Sequence, residues 1–459
     1  DMSSELETAA PPEYSNRVVI EPVTRVEGHG KVTLLTDDEN HVRQARLHVV
    51  EFRGFEKFIQ GRPYWELPVL VQRLCGICPV SHHLAAAKAT DQLVGVDTLT
   101  PTAEKVRRLM HLGQTFQSHA LHFFHLSSPD LLFGFDDSVP HRNIIGVIQD
   151  HPEIAKQGVL MRKYGQEVIR VTAGKRVHGT AAIPGGVNKS LKDEERDYLR
   201  KDVDQMIAWA EAAVQLMKRL FMENEDYHYR FGNVDANTLG MIRADGAFEL
   251  YHGGLRARDP NGAIIFDQQD YRNYEELLRE ETKPWQERQD FVAAGEGKPL
   301  QAALATHWAR LIELLHCGEA IKELLQDPDI QGDDLRVQGE MASKGIGVLE
   351  APRGTLFHHY EIDDDGLVRK ANLIVSTTNN NQAMNETIRQ VASEYLDGRE
   401  LTEPLLNQIE VAIRAYDPCL SCATHAVGKM PLELELVSTA GEVVDRIRKR
   451  ADGHIEHGS

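Results

Sequence analysis

Four of the five cysteines fall into two Cys-x-x-Cys pairs, Cys75-Gly76-Ile77-Cys78 and Cys419-Leu420-Ser421-Cys422, which lie 344 residues apart. Thiolates are soft, strong ligands, and a two-residue spacer lets both sulfurs of a pair reach one ion, so two pairs make a four-sulfur metal site. A zinc ribbon sets its second pair about 15 to 20 residues after the first and closes a small local unit. Here the whole chain must fold before the site exists, which favours a buried catalytic centre over a structural staple. Two redox dithiols, or four ordinary buried thiols, are the competing readings. Cys317, inside the helix-like LIELLHCGEAIKELL, reads as a buried apolar residue.

Other residue types could also do chemistry, each with a plainer reading beside it. His119, His122 and His125 recur every third residue on one helical face. Their neighbours Phe116, Leu121, Phe123 and Phe124 favour a packed, hydrogen-bonded core helix over a histidine metal face. Asp417 before Pro418 reads as a turn residue, Asp130 as a helix cap, Thr377 as strand packing, and Glu27 as an ion-pair partner of Arg25.

The elements that must bring these residues together are mixed. RVVIEP, KVTLLT and VRQARLHVVEF are short β-type runs joined by turn residues, an antiparallel meander. A helix opens at Thr100-Pro101 and runs to about Leu126; another is expected with Ser190 as its cap, and two more at 301–326 and 380–396. LFHHYEID and VRKANLIVST, joined by Asp363-Asp364-Asp365-Gly366, make a hairpin. Residues 256–300 are polar and poorly periodic and read as a surface excursion. Gly76 is expected to permit a tight junction between helices with both sulfurs facing inward. The fold class is therefore mainly α with small antiparallel β elements, an α+β fold. Residues 1–16 read as a disordered leader, and no domain boundary is visible in the rest.

With 51 Lys and Arg against 70 Asp and Glu, the formal net charge is −19, which repels nucleic acid and anionic membranes. No apolar run approaches the roughly 18 residues that span a bilayer. Two metal-type pairs and a lone cysteine do not make a secreted disulfide framework, so a soluble protein of the reducing cytoplasm is expected.

Written in full, the motifs RLCGICPVSH (73–82) and DPCLSCATH (417–425) resemble the large, catalytic subunit of nickel-iron hydrogenases, most closely the cytoplasmic, bidirectional, NAD-linked class. RVEGHG from Arg25, FRGFEKF from Phe52, EAPRGTLFHHY from Glu350 and IVSTTNNNQAMN from Ile374 agree with it in order. The resemblance implies that Cys75 and Cys419 bind nickel alone, that Cys78 and Cys422 bridge nickel to iron, and that iron carries one carbon monoxide and two cyanides. Four thiolates and two cyanides outweigh two divalent metals, so the buried centre needs a cation and donors. Arg353, held between Pro352 and Gly354, is implied to face the cyanides or a substrate position, Thr377 to donate to a cyanide, and Asp417 and Asp130 to pair with Arg353 and orient it. His82 is implied to donate to a bridging sulfur, and Glu56 with His425 to hold magnesium. The resemblance also implies a single catalytic domain over 17–425 and a carboxy-terminal extension over 426–459. The tail after His425 resembles one that a maturation endopeptidase removes in relatives.

The implied reaction is the reversible cleavage of dihydrogen into protons and electrons, with the Cys419 thiolate taking the proton and passing it to Glu27. With its paired cysteines committed, the chain keeps no thiolate set for an iron-sulfur cluster, so a cluster-bearing small subunit must receive the electrons. No Gly-rich dinucleotide fingerprint follows a strand, so NAD(P) reduction belongs to separate flavin-bearing diaphorase subunits. The alternatives are a structural zinc protein and a hydrogen-sensing regulatory hydrogenase.

Overall fold

A computed structural model describes residues 16–39, 41–49, 51, 54–278, 301–399, 402–424, 432–437, 443–449 and 455–458. The first β-type runs pair as the alternation predicts. β1 (Asn16–Ile20), β2 (Gly30–Thr36) and β3 (Val42–Val49) form an antiparallel meander with Val18 opposite Leu34 and Leu34 opposite Ala45. Val32, Leu34 and Ala45 are buried in it.

Long helices carry most of the core. α1 (Pro79–Leu93) begins directly after Cys78, with proline in the first turn, where an N–H has no helical partner to lose. α2 (Pro101–Leu121) is capped as expected, the Thr100 hydroxyl accepting the Ala103 amide at 3.1 Å. The run does not continue as one α-helix: residues His122–Ser127 widen into a π-helical turn before a short helix Ser128–Phe133. α3 (Pro152–Ala173), α4 (Asp193–Glu223) and α5 (Ala305–Gln326) complete the set, and α2, α3, α4 and α5 bury Phe116, Met161, Met217, Leu314 and Cys317 among them. α2 and α3 touch backbone to backbone: a Cβ on Gly165 would lie 2.7 Å from the Gly113 carbonyl. The cap expected at Ser190 lies two residues later, because the Glu195 carboxylate accepts the Lys192 amide at 3.1 Å and closes the first turn from inside the helix.

The stretch expected to be a surface excursion begins as ordered sheet. β4 (Thr238–Ile242), β5 (Gly254–Arg258) and β6 (Ile264–Gln269) pair antiparallel, and Gly262 at φ +88° turns the chain between the last two. β6 shows Ile264 and Ile265 to solvent, so its pattern has no buried alternation to read. Residues 279–300 lie outside the described residues.

The third sheet positions the site. β7 (Lys344–Ala351), β8 (Gly354–Ile362) and β9 (Val368–Ile374) are antiparallel, with β8 in the middle and the predicted Asp363–Gly366 turn joining β8 to β9. β7 was not foreseen. It lies under α1, where Gly345 and Gly347 leave room for the Ala89 and Ala85 carbonyls. α6 (Asn381–Tyr395) and α7 (Glu403–Ala415) close the chain back onto β3. Beyond them, β10 (Leu432–Val437), β11 (Val443–Lys449) and β12 (Ile455–Gly458) form a three-stranded antiparallel sheet. The architecture is the expected one, mainly helical with small antiparallel sheets. No helix among the described residues is long and apolar enough to cross a membrane.

Candidate metal centre

The two Cys-x-x-Cys loops meet. Cys75 Sγ lies 3.2 Å from Cys419 Sγ, Cys78 Sγ lies 3.7 Å from Cys419 Sγ and 3.5 Å from Cys422 Sγ, and the Cys419–Cys422 pair is 2.9 Å apart. All four are buried and none is in a disulfide. Sulfurs about 2.3 Å from a shared metal are about 3.8 Å from one another, so the set has the dimensions of a four-sulfur ligand shell. The first loop is locally built: the Ile77 and Cys78 amides donate to Cys75 Sγ at 3.2 and 3.3 Å, and Gln114 and Gln117 of α2 both donate to the Ile77 carbonyl. Gly76 has no positive φ and a Cβ there would meet nothing, so the expected need for glycine at the junction is not what shapes this loop.

The charge state shows what the pocket demands. Burial opposes ionisation of Cys75, yet hydrogen bonds from Cys419, Cys422 and Cys78, with the charge of Arg353, hold it well below its ordinary value. Burial pushes Cys419 and Cys422 well above theirs. One buried thiolate is tolerated beside Arg353; four require cations.

Arg353 comes from the tip of the β7–β8 hairpin, where Pro352 and Arg353 are the two loop residues and Ala351 pairs with Gly354. Asn380 donates to the Arg353 carbonyl and Ser376 to the Gly354 carbonyl, which pins the tip. The guanidinium donates through Nε to the Asp417 carbonyl at 2.6 Å and through Nη2 to Asp417 Oδ1 at 3.1 Å. Burial would release its proton, but Asp417 and the thiolates hold it firmly charged. Its Nη1 is buried without a hydrogen-bond partner among the described residues, as is Ser81 Oγ. Both residues line a small cavity with Cys78, Cys419, Cys422, Pro352 and Thr377. Thr377 sits in the helical turn Ser376–Asn379, not in a strand, and its oxygen accepts the Cys419 amide at 3.0 Å.

Glu27 reaches the second loop through backbone and side chain. Its carbonyl accepts the Leu420 amide and its Oε2 the Ser421 amide, both at 3.1 Å, and it bridges Cys419 as a β partner. Burial, then the charge of Cys75, raises its proton affinity above that of an ordinary glutamate, against the opposing pull of hydrogen bonds from Ser421 and Cys419. The Arg25 ion pair that the sequence offered as its plain reading is absent, since Arg25 Nη2 lies 2.7 Å from Asp130 Oδ1.

His82 Nε2 lies 3.2 Å from Cys422 Sγ, and its Nδ1 lies 3.1 Å from His358 Nε2, which connects through Nδ1 to the Tyr360 hydroxyl at 2.6 Å. Burial lowers the His82 pKa to about 4, so the ring is neutral. His358 and Tyr360 escaped the sequence reading because two polar residues at i and i+2 in LFHHYEID look like one face of a strand. His122 likewise belongs to the site's surroundings, its Nδ1 3.2 Å from Asp417 Oδ1 and its Nε2 3.0 Å from His307 Nδ1, whereas His119 faces Glu313.

Asp130 requires a correction. It does not pair with Arg353; it is buried between Arg25 and Arg414, 2.7 and 3.0 Å away, and accepts from Asn407. Arg414 in turn donates to Thr24, so this cluster ties the Thr24–Glu27 segment to α7, the helix that leads to Asp417. Glu56, in the short helix Phe55–Ile59, accepts the Leu373 amide at 2.6 Å. His425 lies outside the described residues, so the expected magnesium pair is represented here by one member.

Residues 53–133 and 278–425 match the family described as nickel-dependent hydrogenase, and residues 17–52 one described as HoxL-like. The chain is 44% identical to the NAD-reducing hydrogenase HoxS subunit beta of Cupriavidus necator, aligned over 94% of this chain and 99% of that protein. It is 38% identical to an F420-non-reducing hydrogenase protein of Methanothermobacter marburgensis, over 94% of this chain and 100% of that one. Among solved structures, an NAD+-reducing [NiFe]-hydrogenase in the H2-reduced state superposes with a TM-score of 0.86 at 50% identity, covering 90% of this chain and 100% of the other. The Ni-Fe-Se hydrogenase from D. vulgaris Hildenborough, at 22% identity and a TM-score of 0.69 over 89% of this chain and 100% of its own, shares the fold.

Proposed function

This chain belongs to the nickel-dependent hydrogenase family as a catalytic large subunit, and from that premise we propose that Cys75, Cys78, Cys419 and Cys422 hold nickel and iron, the iron with one carbon monoxide and two cyanides. The observation that carries this reading is the convergence of four buried sulfurs, none in a disulfide, beside an arginine whose Nη1 has no hydrogen-bond partner among the described residues. When bound, the metal pair supplies the Lewis acidity that polarises dihydrogen and the capacity to take up its electrons.

The protein's own groups do the rest. By the family resemblance, Cys78 and Cys422 would be the shared ligands and Cys75 and Cys419 the terminal ones. Arg353 Nη1, Ser81 Oγ and the Thr377 hydroxyl, whose oxygen is already engaged by an amide, are the donors available to cyanide in the cavity they line. Cys419 Sγ takes the proton from dihydrogen and Glu27 receives it, helped by the burial that raises its proton affinity. Arg353 stays charged, so it polarises and positions and does not act as the base. Asp417 holds it in place. His82 donates to the sulfur of Cys422.

The four paired cysteines are used and Cys317 is buried far along the chain in α5, so electrons leave to an iron-sulfur cluster in a small subunit. We extend this to diaphorase subunits that reduce NAD(P), to a cytoplasmic assembly, to magnesium held by Glu56 and His425, and to removal of residues 426–459 by a maturation endopeptidase. Infrared spectroscopy with elemental analysis of the purified complex tests the centre: iron-bound carbonyl and cyanide bands with equimolar nickel and iron are expected. Zinc with no such bands would refute it. Intact mass of nickel-loaded protein tests the tail, with an end near His425 or Ala426 expected and Ser459 retained as the refuting result.

A further inference from the structure

Cys422, His82, His358 and Tyr360 form one unbroken buried file, with gaps of 3.2, 3.1 and 2.6 Å, that runs from a sulfur of the centre into the middle strand of the β7–β9 sheet. The rings of His82 and His358 are 5.3 Å apart, and His82, His358 and Tyr360 are each at most 1% exposed. We propose that His358 and Tyr360 are positioning residues for the centre: they fix the tautomer of His82 so that its Nε2–H points at the sulfur of Cys422. The inference rests on the reading of Cys422 as a metal-bound thiolate given above.

The direction follows from counting donors. A metal-bound thiolate has no proton to give, so a hydrogen bond between Cys422 Sγ and His82 Nε2 needs the proton on Nε2. A neutral imidazole protonated at Nε2 is an acceptor at Nδ1. His82 Nδ1 faces only one ring nitrogen in this file, His358 Nε2, which must therefore be the donor there. His358 is then an acceptor at Nδ1, and the group facing that nitrogen is the Tyr360 hydroxyl, which can donate. Every bond in the series points toward the sulfur, and bonds aligned this way polarise one another. Strand geometry makes the file possible, since His358 and Tyr360 are two apart on β8 and project from the same face, toward α1.

The consequence is electronic. Hydrogen bonding would withdraw electron density from the Cys422 thiolate, so that a metal held by this sulfur would donate less into any diatomic ligands. Removing the terminal donor frees the file to adopt the opposite proton order, in which His82 no longer donates to Cys422.

Tyr360→Phe deletes one oxygen in place and is the principal variant. In the assembled, nickel-loaded complex, its carbonyl and cyanide bands should move to lower wavenumber while nickel content stays that of the unaltered protein. In 15N-histidine spectra of the same complex, His82 and His358 should both show a protonated Nε2 before the substitution, and His82 should lose it afterwards. His358→Gln, which can still donate to His82 Nδ1 through its amide, should keep the bands closer to those of the unaltered complex than Tyr360→Phe does, and a shift as large as that of Tyr360→Phe would count against the inference. Bands unmoved in Tyr360→Phe, or a His82 tautomer indifferent to it, would overturn the inference while leaving the centre intact. Absence of the bands from the unaltered complex would instead remove the carbonyl and cyanide reading, and the nitrogen shifts alone would then decide for or against the positioning role.

Discussion

Arg353 binds Asp417 twice, through Nε to its backbone carbonyl at 2.6 Å and through Nη2 to its carboxylate at 3.1 Å, so one residue clamps both the height and the plane of the guanidinium. Asp417 meets that demand in the left-handed region, at φ +49° immediately before Pro418. A non-glycine residue there costs on the order of 1 kcal/mol, and a proline that follows disfavours the ordinary helical alternative. Lysine also has three donors, but they sit on one nitrogen, which cannot occupy the Nε, Nη2 and Nη1 positions at once. Arg353→Lys should therefore lower hydrogen oxidation by about 10²- to 10³-fold, the usual cost of losing one preorganised electrostatic donor. Nickel and iron contents should not change. Turnover within a few-fold of the unaltered enzyme would show that the fork geometry is irrelevant.

Glu27 is the carboxylate that the chain carries to the Cys419 loop, and the Ser421 amide holds it there at 3.1 Å. Glutamine can accept that same amide but cannot take a proton. Glu27→Gln should lose about 10²- to 10⁴-fold in hydrogen oxidation with an artificial dye, the range usual for removing a proton-transfer group. Metal content and infrared bands should remain as they were, since no metal ligand is touched. A variant that keeps its rate would transfer the proton role to another group.

Much of this was readable from local pattern. The sulfur pairs, the Thr100 cap, the Asp363–Gly366 turn and the first meander are set by residues within a few positions of one another, and each formed as the spacing required. Asp130 shows where such reading stops. Its partner was a choice among arginines far apart in sequence, and helix packing, not spacing, gave it Arg25 and Arg414. The β5–β6 hairpin was legible and overlooked: Asn261-Gly262 is a turn signal, but exposed Ile264 and Ile265 masked the strand that follows. His358 and Tyr360 were hidden for the opposite reason. Two polar residues two apart look like one face of a strand, and whether that face is buried against a sulfur depends on the helix laid across it.

Asp130, relocated to the Arg25–Arg414 cluster, should matter for assembly of the fold and not for the guanidinium of Arg353. Burial alone would raise its carboxyl, but Arg414 and Arg25 bring it below the ordinary aspartate value, so the group is a buried anion among cations, with Arg142 Nε a third at 3.7 Å. Breaking such a set typically costs about 3–5 kcal/mol. Asp130→Asn should lower the urea midpoint accordingly. Where the variant still loads metal, its infrared bands should coincide with those of the unaltered complex. Displaced bands would return Asp130 to the role of orienting Arg353.

Glu350 provides a pH test in which the sign is fixed by burial. It is enclosed at the end of β7, where Oε1 accepts the Met241 amide at 2.7 Å and the Thr355 hydroxyl at 2.8 Å, and burial pushes its pKa up from 4.5 to about 7. Between those two values the folded protein holds a proton that the unfolded chain has released, so stability falls as pH rises through the window and is flat above it. The full effect is about 3 kcal/mol at 1.36 kcal/mol per pKa unit. Glu350→Gln keeps the acceptor oxygen for Met241 and Thr355 and removes the titration. Urea unfolding at pH near 5 and near 8 should therefore show the variant gaining on the unaltered protein as pH rises, with the advantage reached by about pH 8. Parallel pH profiles for the two proteins would mean that the Glu350 carboxyl is ionised in the fold at no cost, with its charge balanced by groups other than the two donors at Oε1.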